Sequence, residues 1–481
     1  MSDIATDLVA EVDAVFRSRV ERGVAPSSVW GVFDRTGLVA SGGHGDRGDG
    51  SAPDADSVYR IASCTKSVTA ATLLALVADG RVRLDDPVTA YVPAFADVAL
   101  PSADSPVPTL RMLLTMAAGF PTDDPWADRQ ESITDADLDH VLRSGLLFDS
   151  VPGTRFAYSN LGYALLGRVI AVAAGAPYTR VATDTVLRPL GLHDTVFRAA
   201  DARGFVVTGV RPHGGAWEPL PLTGPGAFSP IGGLFSTVTD LARWGSHLAS
   251  AFTGAPEPGR VSPADRRLMQ QAMRVVPPAV VPTSRRATAY GFGLFVEQDP
   301  RFGELVSHSG GYPGFSAHMR WSVRDGLGVV AFENATQAKV SVAADTALDL
   351  VLASGVPERD GDLPVQPAPG TGRTADATRA AQGAVSRLLA DWDDDLADAI
   401  CTPNVAMDVP YERRRRAVAE AVAAVGADLT AAPVGEQSSA PSHLRWWLPG
   451  TTGRLRVEIR LAPLAAGLVQ TLIVAAEPSE R

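Results

Sequence analysis

The stretch Tyr59–Gly80, YRIASCTKSVTAATLLALVADG, holds one of only two lysines in the chain; the other is Lys339, and every other Lys/Arg position is arginine. Arginine cannot release its proton in a protein, whereas a lysine amine can be neutral and accept one. Lys66 stands three residues after Ser63, opening a run whose apolar positions Val68, Leu73, Leu76 and Val77 predict a helix that closes near Gly80. Side chains at i and i+3 share a helix face, so this spacing brings Oγ and Nζ together. The helix N-terminus also favours negative charge developing near Ser63. A serine hydroxyl is a poor nucleophile until an adjacent base takes its proton, and a neutral lysine is such a base.

The rest of the chain sets the frame. At 481 residues it is long enough for two or three domains, and 46% apolar with 20% charged residues describes a globular protein with ample core. A net charge of −11 argues against nucleic acid or an anionic membrane as partner. Cys64 and Cys401 lie far apart, which gives no disulfide framework and no thiolate zinc set, so neither metal nor cofactor is expected. The start, MSDIATDLVAEVDAVFRSRV, is acidic and reads as an amphipathic helix rather than a signal peptide. With no apolar run of spanning length, the expectation is a cytoplasmic protein with no membrane partner.

Strand patterns fall at both ends of the first 355 residues. SVWGVFDRTGLVASGG reads as a hairpin turning near Arg35–Gly37, and YGFGLFV, ELVSHSG, FSAHMRWSV and GLGVVAFEN follow Tyr290, with a tight turn at Arg324–Gly326. Helical patterns fill Ser57–Leu248, and KVSVAADTALDLVLASG closes with another helix. The economical fold is α/β of the α+β kind, one antiparallel sheet built from both chain ends, flanked by helices and with a helical subdomain inserted. Residues 356–375 are rich in Pro and Gly and read as a linker. Residues 376–481 read as a small α+β domain, helical around Thr378–Ile400 and Tyr411–Val425, with strands at HLRWWLP, RLRVEIRLAP and GLVQTLIVA.

Two further groups carry chemistry. Tyr158-Ser159-Asn160 precedes a helix marked by Leu161, Leu165, Val169 and Ile170. There a tyrosine can relay a proton and an Asn amide can hold a substrate carbonyl. His308-Ser309-Gly310-Gly311 sits on a strand where paired glycines mark close backbone approach, and such an edge can offer an N–H to an oxyanion.

Ser-x-x-Lys, Tyr-x-Asn and His-x-Gly, in this order, resemble the serine β-lactamase-like family in its class C, penicillin-binding-protein and esterase branch. PGTRFAYSNLGYALLG, LRPLGLHDTVF, SPIGGLFSTVTDLARW and HSGGYPGFSAHMRW extend the resemblance over residues 8–352. It implies Ser63 as nucleophile, Lys66 as its base, Tyr158 as second acid/base, Asn160 as substrate amide contact, and the N–H groups of Ser63 and Gly311 as oxyanion hole. His308 stands where many relatives have Lys, and is expected to touch the tyrosine or a substrate carboxylate. Ser309, Gly310, Gly232 and Gly233 are expected substrate contacts. Arg445 and Trp447, which share a strand face, are expected to border the site.

Within that family the chain resembles the penicillin-binding-protein-type thioesterases. These take a peptidyl thioester from a carrier protein onto serine and release a head-to-tail macrolactam, with a D-residue at the acylating position. The resemblance implies a lipocalin-like C-terminal domain, in conflict with the α+β pattern of residues 376–481. Two alternatives remain: a cytoplasmic D-stereospecific aminopeptidase, amidase or esterase with the same residues, and a catalytically silent penicillin-binding-like sensor.

Overall fold

The computed structural model describes residues 6–253, 259–278, 286–354, 374–438, 441–462 and 466–478. It divides into two compact units, Met1–Arg359 and Asp360–Arg481. All but the last two positions of the expected linker lie outside the described residues.

The first unit is built on β1 (Ser27–Asp34), β2 (Gly37–Gly45), and the short pieces β3 (Tyr59–Arg60), β4 (Val210–His213), β5 (Ala216–Pro219) and β6 (Phe235–Ser236). After them come β7 (Arg274–Val275), β8 (Ala287–Tyr290), β9 (Phe295–Asp299), β10 (Gly303–Tyr312), β11 (Phe315–Ser322) and β12 (Gly328–Glu333). Eight of these form one antiparallel sheet in the order β2-β1-β12-β11-β10-β9-β8-β7, so the first and last strands of the unit pair with each other, one strand in from the β2 edge. β3 pairs with β6, and β4 with β5. The antiparallel sheet expected from both chain ends is present, with helices from Thr65 to Ala249 inserted between its halves.

The sheet is covered on both faces, which is why β1, β11 and β12 run apolar with little alternation. On one face Trp30, Val32, Val329 and Ala331 pack with Phe16 and Leu348 from the helices Thr6–Glu21 and Ser341–Ala353. On the other, Val29, Phe33, Val330 and Phe332 join Leu241 and Trp244 of the helix Val238–Ala249 and the main core.

YGFGLFV is not one strand. It holds the end of β8, a turn, and the start of β9, because Gly293 takes φ +74 and its Cα presses on the Lys66 backbone, where a Cβ would lie 2.6 Å from the carbonyl oxygen. The helix Thr65–Ala78 is buried on all sides from Thr65 to Leu76, so its polar residues bond inward: Ser67 Oγ donates to the Cys64 carbonyl and Thr69 Oγ1 to that of Pro230, each at 2.8 Å.

The second unit contains the helices Asp376–Ala390, Asp394–Ile400, Asn404–Asp408 and Tyr411–Val425, and a sheet in the order β13 (Gly435–Gln437), β14 (His443–Pro449), β15 (Gly453–Leu461), β16 (Val469–Pro478). The three expected strands are β14, β15 and β16. Among the described residues this is an open four-stranded sheet with helices, and the closed eight-stranded barrel of a lipocalin-like domain is not formed. Its core holds Trp446, Leu455, Val457 and Val385. Within the four consecutive arginines Arg413–Arg416, Arg414 donates to the carbonyls of Leu472 and Val405 at 2.9 Å each, and Arg416 pairs with Glu412 one turn away.

Gly167 offers a test of the packing. The helix Asn160–Ala174 crosses the short helix Ser229–Gly232 there, and a methyl group on Gly167 would lie 2.0 Å from the Pro230 ring. Gly167→Ala gains about 1 kcal/mol in helix propensity. It should nevertheless lose about 1–3 kcal/mol by overpacking, lowering the urea midpoint; a raised midpoint would show that the crossing is loose.

Candidate active site

Every residue from Ser57 to Leu76 is buried except Ser63, which is partly exposed. It sits on the 3-10 turn Ala62–Cys64 between β3 and the helix Thr65–Ala78. Ala62 has φ +45, a left-handed value that costs a non-glycine residue about 1 kcal/mol. The turn is held by Ile61 N–H donating to Leu234 O at 3.0 Å and Cys64 N–H to Ile61 O at 3.2 Å.

Lys66 is fully buried, and its Nζ lies 2.9 Å from Ser63 Oγ and 2.9 Å from the Ile231 carbonyl oxygen. A neutral amine can donate an N–H to Ile231 O and accept the serine proton on its lone pair. Cys64, the adjacent possible nucleophile, is no competitor. Burial pushes its thiol up to about 12, and Sγ donates to the His308 carbonyl at 3.3 Å.

Tyr158 meets this pair. Lys66 Nζ lies 5.0 Å from its ring centroid, and the ring stacks on Phe295 with centroids 6.4 Å apart. The residue is half-buried and directly precedes the helix Asn160–Ala174. Ser159 caps that helix, its Oγ accepting from Gly162 N–H at 3.3 Å. Asp123, not anticipated from the sequence, completes the cap: its carboxylate accepts the N–H groups of Asn160 at 2.7 Å and Leu161 at 2.9 Å. Asn160 is fully buried beside Tyr158.

The third group lies on β10. β9 pairs with β10 only as far as Ser307, so among the described residues His308–Tyr312 has no strand partner on that side. Gly310 is pressed against the nucleophile segment, where a Cβ would lie 2.2 Å from Ile61 O; around Gly311, a Cβ would meet nothing within 4 Å. The structure therefore brings Ser63, Lys66, Tyr158 and the His308–Gly311 segment together, with Gly311 and Ser309 exposed. Ser309 Oγ lies 2.8 Å from His318 Nδ1.

Several expected contacts are corrected. His308 is 1% exposed and both ring nitrogens are engaged: Nδ1 donates to Ser309 O at 2.6 Å, and Nε2 accepts from Tyr290 OH at 3.1 Å. Burial first, and Lys66 second, hold its pKa at about 3, so the ring is neutral and enclosed rather than a cation facing a substrate carboxylate. Its ring centroid lies 6.2 Å from that of Tyr158. Gly232 and Gly233 are buried packing positions rather than substrate contacts: a Cβ would lie 3.4 Å from the Ala62 carbonyl carbon at the first and 2.7 Å from Glu131 Oε1 at the second. Arg445 Nε donates to Glu458 at 2.8 Å and Trp447 Nε1 to Glu477 at 2.9 Å, both partners lying within the second unit.

Such a site, a serine on a strained turn with a buried lysine at hydrogen-bond distance beside a free strand edge, defines a class: serine enzymes that pass an acyl group through an ester. The chain belongs to the β-lactamase family, whose model matches residues 12–354. It is 30% identical over 293 residues, 57% of this chain and 70% of the relative, to the D-alanyl-D-alanine-carboxypeptidase/endopeptidase AmpH of Escherichia coli (strain K12). The structure of a D-stereospecific amidohydrolase from Streptomyces sp. is similar with a TM-score of 0.57 and 25% identity, over 70% of this chain and 98% of that one. The octameric penicillin-binding protein homologue from Pyrococcus abyssi, 19% identical, shares the fold with a TM-score of 0.61 over 97% of this chain and 99% of its own. Among the described residues no single helix is long and apolar enough to cross a membrane.

The neutral histidines carry a pH signature. Burial also holds His318 at about 3. Below about pH 6.5 the unfolded chain takes up protons that the folded one refuses. Their contribution to stability is complete above that pH and lost as pH falls toward 3, at up to about 1.4 kcal/mol per pH unit for each ring. Thermal midpoints of His318→Asn measured from pH 7 to 4 should fall less steeply than those of the unaltered chain. Parallel slopes would mean that His318 titrates normally.

Proposed function

We propose that this chain is a D-stereospecific acyl-transfer enzyme whose substrates carry an uncharged leaving group: an amide, an ester or a thioester. Ser63 Oγ gives its proton to the neutral Lys66 amine and bonds to the substrate carbonyl carbon. The N–H groups of Ser63 and Gly311 receive the oxyanion. As the tetrahedral intermediate collapses, the carbonyl–leaving-group bond breaks and the departing amine, alcohol or thiol takes a proton by way of Tyr158 and Lys66. The Ser63 ester remains until a second nucleophile attacks it.

The base assignment rests on the 2.9 Å approach of Nζ to Oγ. The leaving-group assignment rests on one observation, the enclosed and neutral His308. A residue in that state offers no positive charge to a terminal carboxylate, so the third motif is built for substrates without one.

Two second nucleophiles fit. With water the enzyme is a D-specific amidase, peptidase or esterase, and the likeness to the Streptomyces amidohydrolase supports this reading. With the substrate's own amine it is a peptide macrocyclase fed by a carrier-protein thioester in the cytoplasm. The second unit, beyond the residues matched by the family model, supports that one. Cyclisation needs the amine held against the ester, and well-oriented intramolecular reactions reach effective molarities of roughly 10⁵ M or more.

A panel of peptides ending in D- or L-residues, each as thioester, amide and free D-Xaa-D-Xaa acid, followed by mass spectrometry, tests this. D-configured thioesters and amides should be consumed at least about 100-fold faster than their L-counterparts and faster than the free acid, and Ser63→Ala should lose at least about 10³-fold in rate. Free acid as product supports hydrolysis and a macrocycle supports cyclisation. Preference for the substrate with a terminal carboxylate would overturn the leaving-group assignment.

A further inference from the structure

Two buried basic side chains hold successive carbonyls of the short helix Ser229–Gly232. Ile231 O accepts from Lys66 Nζ at 2.9 Å, and Gly232 O accepts from Arg60 Nε at 3.1 Å. The Gly232 peptide lies against the Ala62 backbone, immediately before Ser63. Arg60 itself is 1% exposed, on β3, three residues upstream of the serine.

Each of the other two guanidinium nitrogens also has a partner. Nη2 donates to Glu131 Oε2 and Nη1 to Thr223 Oγ1 at 3.2 Å. The guanidinium carbon lies 3.8 Å from the centroid of the Tyr312 ring, and Tyr312 follows Gly311 in β10. The Tyr312 hydroxyl lies 2.8 Å from the same Thr223 Oγ1. Glu131, 2% exposed, accepts with its other oxygen from Ser229 Oγ at 3.1 Å, at the first residue of that short helix. One cation thus grips the peptide next to the lysine's carbonyl partner and also the strand that carries Gly311.

We propose that Arg60, clamped by Glu131, is a positioning residue for acyl transfer: it fixes the Gly232–Gly233 peptide, next to the Ile231 carbonyl that aims the Lys66 amine at Ser63, and it seats the Gly311 end of β10 against the nucleophile turn. The proposal rests on Ser63 as nucleophile and Lys66 as base, and is independent of the substrate. Stability alone is a poor reason for this pair, because a buried ion pair replaced by well-packed apolar residues often leaves a protein equally stable. A planar fork with fixed donor directions is what lysine cannot copy.

The test is the rate at which a fluorophosphonate labels Ser63, split into maximal rate and probe affinity, in the unaltered chain, Arg60→Lys, Glu131→Gln and Thr223→Val, each with its thermal midpoint. Affinity of a phenylboronic acid, which forms a tetrahedral adduct on the serine, is measured in parallel. Arg60→Lys and Glu131→Gln should label about 10–100-fold more slowly at unchanged probe affinity, and bind the boronic acid more weakly in step. Folded variants that label within two-fold of the unaltered chain overturn the proposal. Should both fail to fold, Thr223→Val, which removes the two hydrogen bonds of Oγ1, to Arg60 and to Tyr312, decides: about 3–10-fold slower labelling supports it, and an unchanged rate overturns it. If the unaltered chain is not labelled, or Ser63→Ala is labelled equally, the nucleophile assignment falls and takes the proposal with it; normal labelling with unaffected variants defeats the proposal alone.

Discussion

A buried amine held between a serine hydroxyl and a backbone carbonyl is the constraint on which the rest of the site depends. Lys66 Nζ has Ser63 Oγ on one side and Ile231 O on the other, each at 2.9 Å. The serine is delivered by the turn Ala62–Cys64 that leads into the lysine's own helix, and the carbonyl by a helix some 165 residues further along the chain. The sheet, the inserted helices and the close packing at Gly310 and Gly232 bring these two distant pieces of backbone within reach of one side chain.

Burial then determines what each neighbour can do. The Cys64 thiol is kept protonated and the His308 imidazole neutral, so the serine is the group left partly exposed and flanked by a base. Asp123 acts at a distance from the chemistry: by accepting N–H groups at the start of the helix Asn160–Ala174 it fixes the backbone from which Tyr158 and Asn160 project. Glu131 is also buried beside a cation. Desolvation outweighs the pull of Arg60 and raises its pKa, which shows how dry the ground beneath the nucleophile is.

What the sequence revealed follows the range of the interactions. Ser63 and Lys66 meet through helix periodicity, a local rule, and the strands of β10 to β12 declare themselves by apolar runs and a tight turn. Tyr158 and the β10 glycines became legible through resemblance to a family, since no local rule brings residue 158 to residue 63. Arg60 and Glu131, 71 residues apart, and Asp123 with Asn160, 37 apart, gave no signal, because an acidic residue in a loop looks the same whether it caps a distant helix or faces water. His308 was read as available because its burial depends on Tyr290 and Phe295 closing over it. Gly232 and Gly233 looked like ligand contacts, although the group approaching their backbone is the protein itself. In the second unit the α+β pattern described the sheet better than the analogy to a barrel did.

A base that must lose its proton separates this site from one that merely places a positive charge near a serine. Lys66→Arg keeps the charge and much of the reach while removing the ability to deprotonate. The decisive measurement is rapid-quench intact-protein mass spectrometry of this variant and the unaltered chain mixed with a D-configured peptide thioester. An acyl mass increment on the peptide containing Ser63 in the unaltered chain, and its absence from a folded Lys66→Arg variant, is the result expected. An equal increment forming at the same rate in both would contradict the central claim.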